Sequence, residues 1–182
     1  MLVASTGVIE CSSAKGFIFQ CKRWVKSQCK STALGDIEPF EGIGKTYSAK
    51  IDLPDREPET VVQALIPDNQ AHIYRLSGDY NPLHIDPESA KFGGFDEPIL
   101  HGLCTFGHCG QLLLEALCGG DVGRFRKIKV RFSSPVMLND RLKVRAWEDG
   151  PGRVIFDAMV EDRSYDHLWC TGKMKKAVSP ML

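Results

Sequence analysis

One long apolar helix, predicted over residues 99–117, most constrains how this chain can fold. Apolar and small residues recur in it at spacings of three and four, the period of a helix with one buried face. They are Ile99, Leu103, Phe106, Gly110, Leu113 and Leu117. Gly119 and Gly120 follow and are typical of a helix end. Such a helix must bury its apolar face against another element.

The residues after this helix have the pattern of antiparallel strands. Apolar and polar positions alternate at residues 124–132 and 141–147, and residues 154–160 and 167–174 are predicted as two further strands. Asp149-Gly150 predicts a turn between the second and third stretches. One apolar helix followed by such a run predicts an α+β domain whose sheet wraps round the helix.

The residues just before the helix predict a strand, a short helix and a loop. Residues 60–66 are apolar and β-branched, and Pro67 ends this predicted strand. Asp68 or Asn69 is expected to cap a short helix after it. Residues 77–98 are rich in Gly, Pro, Asp and Asn, which predicts a long loop.

Residues 1–44 show less pattern and are expected to form an irregular N-terminal segment or the remnant of a preceding repeat. Within them, residues 17–26 have the character of one strand, and Gly and Pro punctuation follows. The pattern sharpens at residues 45–53, where apolar and polar positions alternate and predict another strand. The main domain is therefore predicted to span residues 45–178.

Length and composition fit one soluble globular domain. The chain has 182 residues, of which 43% are hydrophobic and 25% charged, enough for a substantial core. Lys+Arg and Asp+Glu each total 23, so no overall field attracts nucleic acid or anionic lipid. No stretch approaches the roughly 20 apolar residues of a membrane span. The opening residues lack the basic region of a signal peptide. Neither nucleic acid nor a membrane is an expected partner.

The seven cysteines are odd in number and irregularly spaced. This predicts buried thiols in a reducing compartment rather than a disulfide framework. Cys104 and Cys109 are flanked by His101 and His108, which raises the alternative of a zinc site. Because all four lie within one predicted helix and no second ligand cluster is near, no metal site is predicted.

The stretch Tyr-Arg-Leu-Ser-Gly-Asp-Tyr-Asn-Pro-Leu-His at residues 74–84 places the Asp79 carboxylate five residues before the His84 imidazole. Pro82 fixes its own φ and biases Asn81 towards extended geometry, so a stiff loop can hold both side chains. A carboxylate and an imidazole that converge on one water form a general acid/base pair. The alternative is a simple turn in which His84 is a hydrogen-bonded strut.

Gly102 lies at the start of the predicted helix, in the sequence Ile-Leu-His-Gly-Leu. The first turn of a helix has free N–H groups and the positive end of the helix dipole. A glycine there lets a thioester carbonyl approach, and the N–H can stabilise negative charge that develops on its oxygen. The alternative for Gly102, close packing of helix on sheet, is compatible with this role.

Residues 74–90 resemble the hydratase 2 motif of the MaoC-like hot-dog proteins, which include the (R)-specific enoyl-CoA hydratases. That motif runs aromatic, spacer, aliphatic, small, then G-D-x-N-P-L-H, five residues and a small residue, which is Ala90 here. A looser resemblance covers residues 39–176 through the sequences ILHGL and VRFSSPV. The resemblance implies a hot-dog fold, an antiparallel sheet wrapped round one long central helix.

The resemblance also implies roles for individual residues. Asp79 and His84 would hold and activate a water, Asn81 would support them or the thioester, and the Gly102 N–H would be the oxyanion donor. Phe132 would touch the acyl-CoA, and the residues Gly78, Tyr80, Pro82 and Leu83 would line its site. Among the basic residues of the strand at 124–132, we expect Arg131 alone to meet the CoA phosphates, the others being a solvated face.

The implied reaction is reversible hydration of a trans-2-enoyl-CoA to an (R)-3-hydroxyacyl-CoA, part of fatty acid metabolism, with the CoA thioester as substrate and no cofactor. A dehydratase of a carrier-bound or specialised-metabolite acyl thioester would use the same residues. The family implies a peroxisomal location, with the cytoplasm as the alternative. Residues 179–182 share only their final leucine with a peroxisomal signal.

Eukaryotic members of the family usually carry two fused repeats, of which the first lacks the acid/base pair and forms part of the CoA site. This chain resembles only the second repeat, and residues 17–26 faintly resemble the last predicted strand. A lone sheet of this kind has an exposed edge, so a homodimer is expected. The other alternative is a weakly catalytic partner that binds acyl thioesters.

Overall fold

The computed structural model of this protein describes residues 8–14, 18–24, 51–161 and 167–177. The strands are β1 (Val8–Ala14), β2 (Ile18–Trp24), β3 (Thr60–Leu65), β4 (Phe125–Phe132), β5 (Arg141–Glu148), β6 (Arg153–Val160) and β7 (His167–Lys176). The helices are α1 (Gln70–Arg75), α2 (Pro87–Phe92) and α3 (Gly102–Cys118), and a short 3-10 helix, η1, spans Pro82–His84.

The seven strands form one antiparallel sheet in the order β2-β1-β4-β7-β6-β5-β3. Each strand predicted after the helix is confirmed to within two residues at each end, as are β2 and β3. The first strand, β1, was not predicted. It pairs with β2 on one side and with β4 on the other, so residues 8–24 extend the sheet at one edge.

The core lies between α3 and one face of the sheet. The helix contacts β3, β4 and β5. Phe106, Leu113, Val144 and Phe156 are among the buried residues that meet there. This is the α+β arrangement that the sequence predicted, with a single long helix against an antiparallel sheet. Because α3 is held along its length, the position of its first turn is fixed relative to the strands.

The helix α3 ends as predicted but begins later. Gly119 adopts φ 64°, and the N–H of Gly120 bonds to the carbonyl of Leu114, a typical glycine-terminated helix end. The first helical residue is Gly102, not Ile99. Ile99 instead makes an isolated bridge to Met137, outside the helix.

The buried face of α3 differs from the prediction. Leu103 was expected to face the core but is 42% exposed. The buried face contains three thiols, those of Cys104, Cys109 and Cys118. Phe106 and Leu113 are buried as predicted, and Leu117 is partly buried against the core. Cysteine packs as a small hydrophobe, so these thiols complete a face that the predicted pattern traced without them. The prediction of buried thiols itself is confirmed for the described cysteines of α3 and for Cys170.

The predicted loop at residues 77–98 contains two short helical segments, so that prediction was wrong in part. α2 begins at Pro87, and Asp86 caps it by accepting hydrogen bonds from the N–H of Ser89 at 3.0 Å and of Glu88 at 3.4 Å. An acidic N-cap followed by proline is a helix start signal. Asn69 does occupy the N-cap position of α1, but its side chain makes no capping hydrogen bond.

The strand predicted at residues 45–53 lies mostly outside the described residues. Its last three residues are described and are not in a strand. Within the described part of the chain, none of the helices combines the length and apolar character needed to cross a bilayer.

Candidate active site

Hydrogen bonds inside the loop before η1 fix its shape. Gly78 adopts φ 109°, a conformation that other residues rarely adopt, and so turns the chain after α1. The Asp79 carboxylate accepts a hydrogen bond from the N–H of Asn81 at 3.3 Å. The Asn81 side-chain oxygen accepts from the N–H of Leu83 at 3.1 Å and caps η1, which begins at Pro82. Asn81 therefore supports the loop that holds the carboxylate.

The His84 imidazole is 9% exposed and is oriented by the main chain. Its Nδ1 lies 2.7 Å from the carbonyl oxygen of Ile99. Because a carbonyl only accepts, Nδ1 carries the proton and donates it in this bond. In the neutral ring, Nε2 then has the free lone pair. The bridge between Ile99 and Met137 holds this carbonyl in place.

The structure brings the predicted acid/base residues together. A carboxylate oxygen of Asp79, a ring nitrogen of His84 and a ring nitrogen of His101 all lie within 4.8 Å of one another. One water can bridge two groups at that separation, since each hydrogen bond spans about 2.8 Å. Asp79 is exposed and His84 is buried, so the pair lies at the boundary between solvent and interior. The structure thus places the two side chains close together and also gives His84 the hydrogen bond that the turn alternative predicted.

His101 is a site residue that the sequence suggested only as a zinc ligand. Its ring stacks on that of His84, with centroids 3.7 Å apart and an interplanar angle of 28°. Burial, followed by the positive charge that His84 can carry, lowers the pKa of His101. Among the described residues, Cys104, His108 and Cys109 do not join it in a metal-ligand group. Its place directly before Gly102 was the signal that could have identified it.

Gly102 and Phe132 meet at the start of α3. A Cβ built on Gly102 would lie 3.8 Å from a ring carbon of Phe132. Within the described part of the chain, the Gly102 N–H has no hydrogen-bond acceptor, and no side chain caps the helix. A free N–H at a helix start can stabilise an oxyanion.

Arg131, which was predicted to meet the CoA phosphates, does not lie beside Gly102 at the start of α3. Alternate residues of a strand face opposite sides of a sheet. On β4, Ile128 and Val130 are buried in the core, and Phe132 continues that face. Arg131 therefore projects from the other face of the sheet, away from Gly102.

A groove of about 400 Å³ lies between η1 and α2. Pro82 and Leu83, two of the predicted substrate residues, line it together with Asn81, and Phe92 and Phe95 add an apolar wall. The groove lies beside Asp79 and His84, which do not line it. The apolar groove is thus distinct from the neighbouring polar pair, Asp79 and His84.

Tyr80 is 63% exposed and lies outside the groove. Arg75, from α1, was not predicted to matter, yet its guanidinium donates to the Tyr80 carbonyl at 2.7 Å and lies 5.2 Å from the centre of the Tyr80 ring. This pair of contacts ties the loop to the end of α1, so Arg75 helps to fix the residues on either side of Tyr80.

The chain was compared with families, curated proteins and solved structures. Residues 50–168 match the family model of the MaoC like domain. The chain is 42% identical over 158 residues to the probable enoyl-CoA hydratase 2 of Dictyostelium discoideum, covering 81% of this chain and 54% of that protein. It is 46% identical over 114 residues to the peroxisomal multifunctional enzyme type 2 of Mus musculus, covering 63% of this chain and 15% of that enzyme.

Among solved structures, the crystal structure of a MaoC-like dehydratase from Phytophthora capsici superposes with a TM-score of 0.73 at 41% identity. The match covers 79% of this chain and 50% of that one. The chain thus spans about half the length of the Dictyostelium and Phytophthora proteins, and a small part of the mouse enzyme.

Proposed function

This chain belongs to the MaoC-like family and has its hot-dog fold, and from that premise we propose that it reversibly adds water across the 2,3 double bond of a trans-2-enoyl-CoA. The observation that carries the proposal is the convergence of Asp79 and His84 within 4.8 Å. The name of the Dictyostelium relative supports the enoyl-CoA substrate. The (R)-3-hydroxyacyl product is what the family resemblance implies.

In the proposed mechanism, Asp79 and His84 hold one water between them. The neutral His84 can accept a proton at Nε2, because Nδ1–H is bonded to the Ile99 carbonyl. The water oxygen attacks C3, and negative charge moves onto the thioester oxygen as C2 becomes nucleophilic. A proton is then delivered to C2. The proposal assigns both steps to the pair rather than one to each member.

The Gly102 N–H is the proposed donor to the thioester oxygen. It lies at the positive end of the 17-residue helix α3 and is free of other acceptors in the described region. Charge develops on this oxygen only during the reaction, so a donor placed there lowers the barrier. Phe132, against Gly102, would form the apolar wall of the same site. Addition of water transfers no electrons, so the proposal needs no redox cofactor.

The acyl part of the substrate is proposed to contact the groove between η1 and α2. Its Pro82, Leu83 and Phe92 surfaces are apolar, as an acyl chain requires. Phe92 is 87% exposed, and Leu76 and Tyr80 are also largely exposed in the same loop region. Several exposed apolar side chains in one region are typical of a surface that contacts another molecule.

We propose a homodimer as the assembly that covers this surface. The chain spans only 54% of the Dictyostelium protein, so a second copy would supply what the remainder of that chain supplies there. Residues 1–44 are proposed to be the remnant of a preceding repeat. A peroxisomal location is proposed from the mouse relative's name, with the cytoplasm as the alternative.

The test is an assay of the purified chain together with its mass in solution. Hydration of a short trans-2-enoyl-CoA is followed by loss of the ultraviolet absorbance of the conjugated thioester. We expect turnover by a dimer, and a loss of at least about a hundredfold in Asp79→Asn and in His84→Ala. Turnover that survives both substitutions would rule out the pair.

Two alternatives are distinguished by the same samples. The Phytophthora protein's name supports a dehydratase. A dehydratase of a carrier-bound thioester would turn over a carrier-bound substrate much faster than the CoA thioester. A weakly catalytic binding partner would bind an acyl-CoA without turnover and would be a monomer.

A further inference from the structure

His101 lies next to the three residues of the proposed mechanism, which are Asp79, His84 and Gly102. It occupies the N-cap position of α3 and directly precedes Gly102. Its side chain is 2% exposed, so it cannot contact a substrate in the groove or in solvent. Its importance must therefore come from what it touches inside the protein.

The ring of His101 contacts both members of the acid/base pair. Its Nε2 lies 3.3 Å from the carbonyl oxygen of Asp79, and because a carbonyl only accepts, Nε2–H is the donor. The centroid of its ring lies 3.7 Å from the centroid of the His84 ring, and the two rings stack. Tyr74 also packs on it, at 4.8 Å between ring centres and an angle of 49°. One buried ring thus spans from the main chain of Asp79 to the side chain of His84.

The charge state of His101 suits this position. Burial lowers its pKa, and protonation of His84 lowers it further, so it is neutral near pH 7. With Nε2 protonated, Nδ1 has a lone pair, and this buried atom has no hydrogen-bond partner among the described residues.

We propose that His101 is a positioning residue that sets the distance and the relative orientation of Asp79 and His84. It does so through one hydrogen bond to the Asp79 main chain and one ring stack on His84. The Ile99 carbonyl holds the edge of the His84 ring, and His101, two residues later, holds its face. This inference rests on the proposed function, since it concerns the geometry of that acid/base pair.

The test separates the two contacts by substitution in the full chain. His101→Phe keeps a ring that can stack on His84 but removes the donor to Asp79. His101→Gln keeps an N–H donor but removes the ring. A displacement of about 1 Å between catalytic groups costs on the order of a hundredfold in rate. We expect kcat to fall roughly tenfold to a hundredfold in each variant, while KM changes less than about threefold.

Thr105→Val is the matched control, because the Thr105 hydroxyl donates to the His101 carbonyl at 3.4 Å and so supports the same helix start. Thr105 is fully buried, and its hydroxyl bonds to the main chain of His101 rather than to Asp79 or His84. If His101 contributed only to stability, Thr105→Val and the His101 variants would show the same changes in melting temperature and in kcat. We expect it to lower the melting temperature but to leave kcat within about threefold of the unsubstituted protein.

The Asp79→Asn and His84→Ala variants are assayed beside these. If they lose activity while both His101 variants keep kcat within threefold, the inference is overturned and the proposed function stands. If all four keep activity, the proposed function fails first. If neither His101 variant folds, as judged by circular dichroism, His101 is a residue of the core and the inference is again overturned.

Discussion

The ring of Phe132 lies 3.8 Å from the point where a side chain on Gly102 would begin, which is ordinary van der Waals contact. An alanine therefore fits at position 102 without displacing Phe132. This separates two roles that a glycine at a helix start can have. If Gly102 were needed only for packing, an added methyl group would be tolerated; if a carbonyl must reach its N–H, the methyl group stands in the way.

We accordingly expect Gly102→Ala to fold with unchanged or slightly higher stability, by at most about 1 kcal/mol, since alanine favours helix more than glycine does. Hydratase activity should fall roughly tenfold to a hundredfold, because the donor is obstructed but not removed. Steady-state kinetics and urea denaturation of the same preparation measure both effects. Gly107→Ala is the matched control, with no atom within 4 Å of the new methyl group, and should keep full activity. Full activity in both variants would remove Gly102 from the mechanism.

The free energy of unfolding should depend on pH through two histidines, the buried His101 and the half-buried His108. Burial lowers the pKa of His101 and of His108 below the usual 6.5. As the pH falls below about 6.5, the unfolded chain takes up these protons before the folded protein does. The free energy of unfolding should then decrease, by at most about 1.4 kcal/mol per pH unit for each histidine. The charges of Asp79, His84 and Arg75 also act on His101 and change its contribution to this pH dependence.

Urea denaturation between pH 7.5 and 5.5 measures this dependence. His101→Gln and His108→Gln each remove one titrating group, so each should flatten the curve. An unfolding free energy of the unsubstituted protein that rises as the pH falls would contradict the prediction.

Gly172→Ala should destabilise the fold strongly. Gly172 pairs with Phe156 across β6 and β7, and an added Cβ would come within 2.3 Å of the Phe156 ring and 2.8 Å of the Lys129 carbonyl oxygen. Phe156 is fully buried and cannot move aside freely. We expect a loss of about 1–3 kcal/mol. Adding Phe156→Leu should recover part of it, which a double-mutant cycle in urea detects. Strictly additive losses would show that the two residues do not compete for space.

The N-cap of α2 should stabilise the fold to an extent that depends on pH. Hydrogen bonds from the Ser89 side chain and N–H lower the pKa of Asp86 below the usual 3.8. Its stabilising effect is therefore complete above that pH and is lost as the pH falls through the folded-state value. Asp86→Ala should lower the urea midpoint at pH 7, and Asp86→Asn, which keeps an acceptor, should lower it less. Equal losses in both variants would mean that the charge, not the hydrogen bond, caps the helix.

Local patterns in the sequence predicted much of this structure. Apolar and polar residues alternate in β4 and β5, and α3 is long and is followed by two glycines, so local patterns were enough to predict these elements. β6 is buried at nearly every position and does not show this alternation. Asp79 and His84 were predicted to converge because only a proline-stiffened turn separates them. The catalytic roles of these residues and the domain boundary near residue 44 stay predictions.

The features that were missed depend on packing between distant segments. The spacing of residues 84 and 101 does not show that two imidazoles stack, since the path of the 16 intervening residues decides it. Leu103 was placed on the buried face of α3 because the predicted helical pattern left out Cys104 and Cys109, which occupy that face. α2 was missed because the Asp-Pro pair at its start was taken for loop composition.

The hydrogen bond from His84 to the Ile99 carbonyl bears on how the site can vary. The acceptor belongs to the peptide backbone, which every amino acid at position 99 would supply. Replacing the isoleucine side chain would therefore leave the same imidazole nitrogen facing the water. A change of tautomer would require rerouting the chain itself, for instance by an insertion between α2 and α3. The tautomer of this histidine is thus determined by the path of the polypeptide and is insensitive to which side chain stands at position 99.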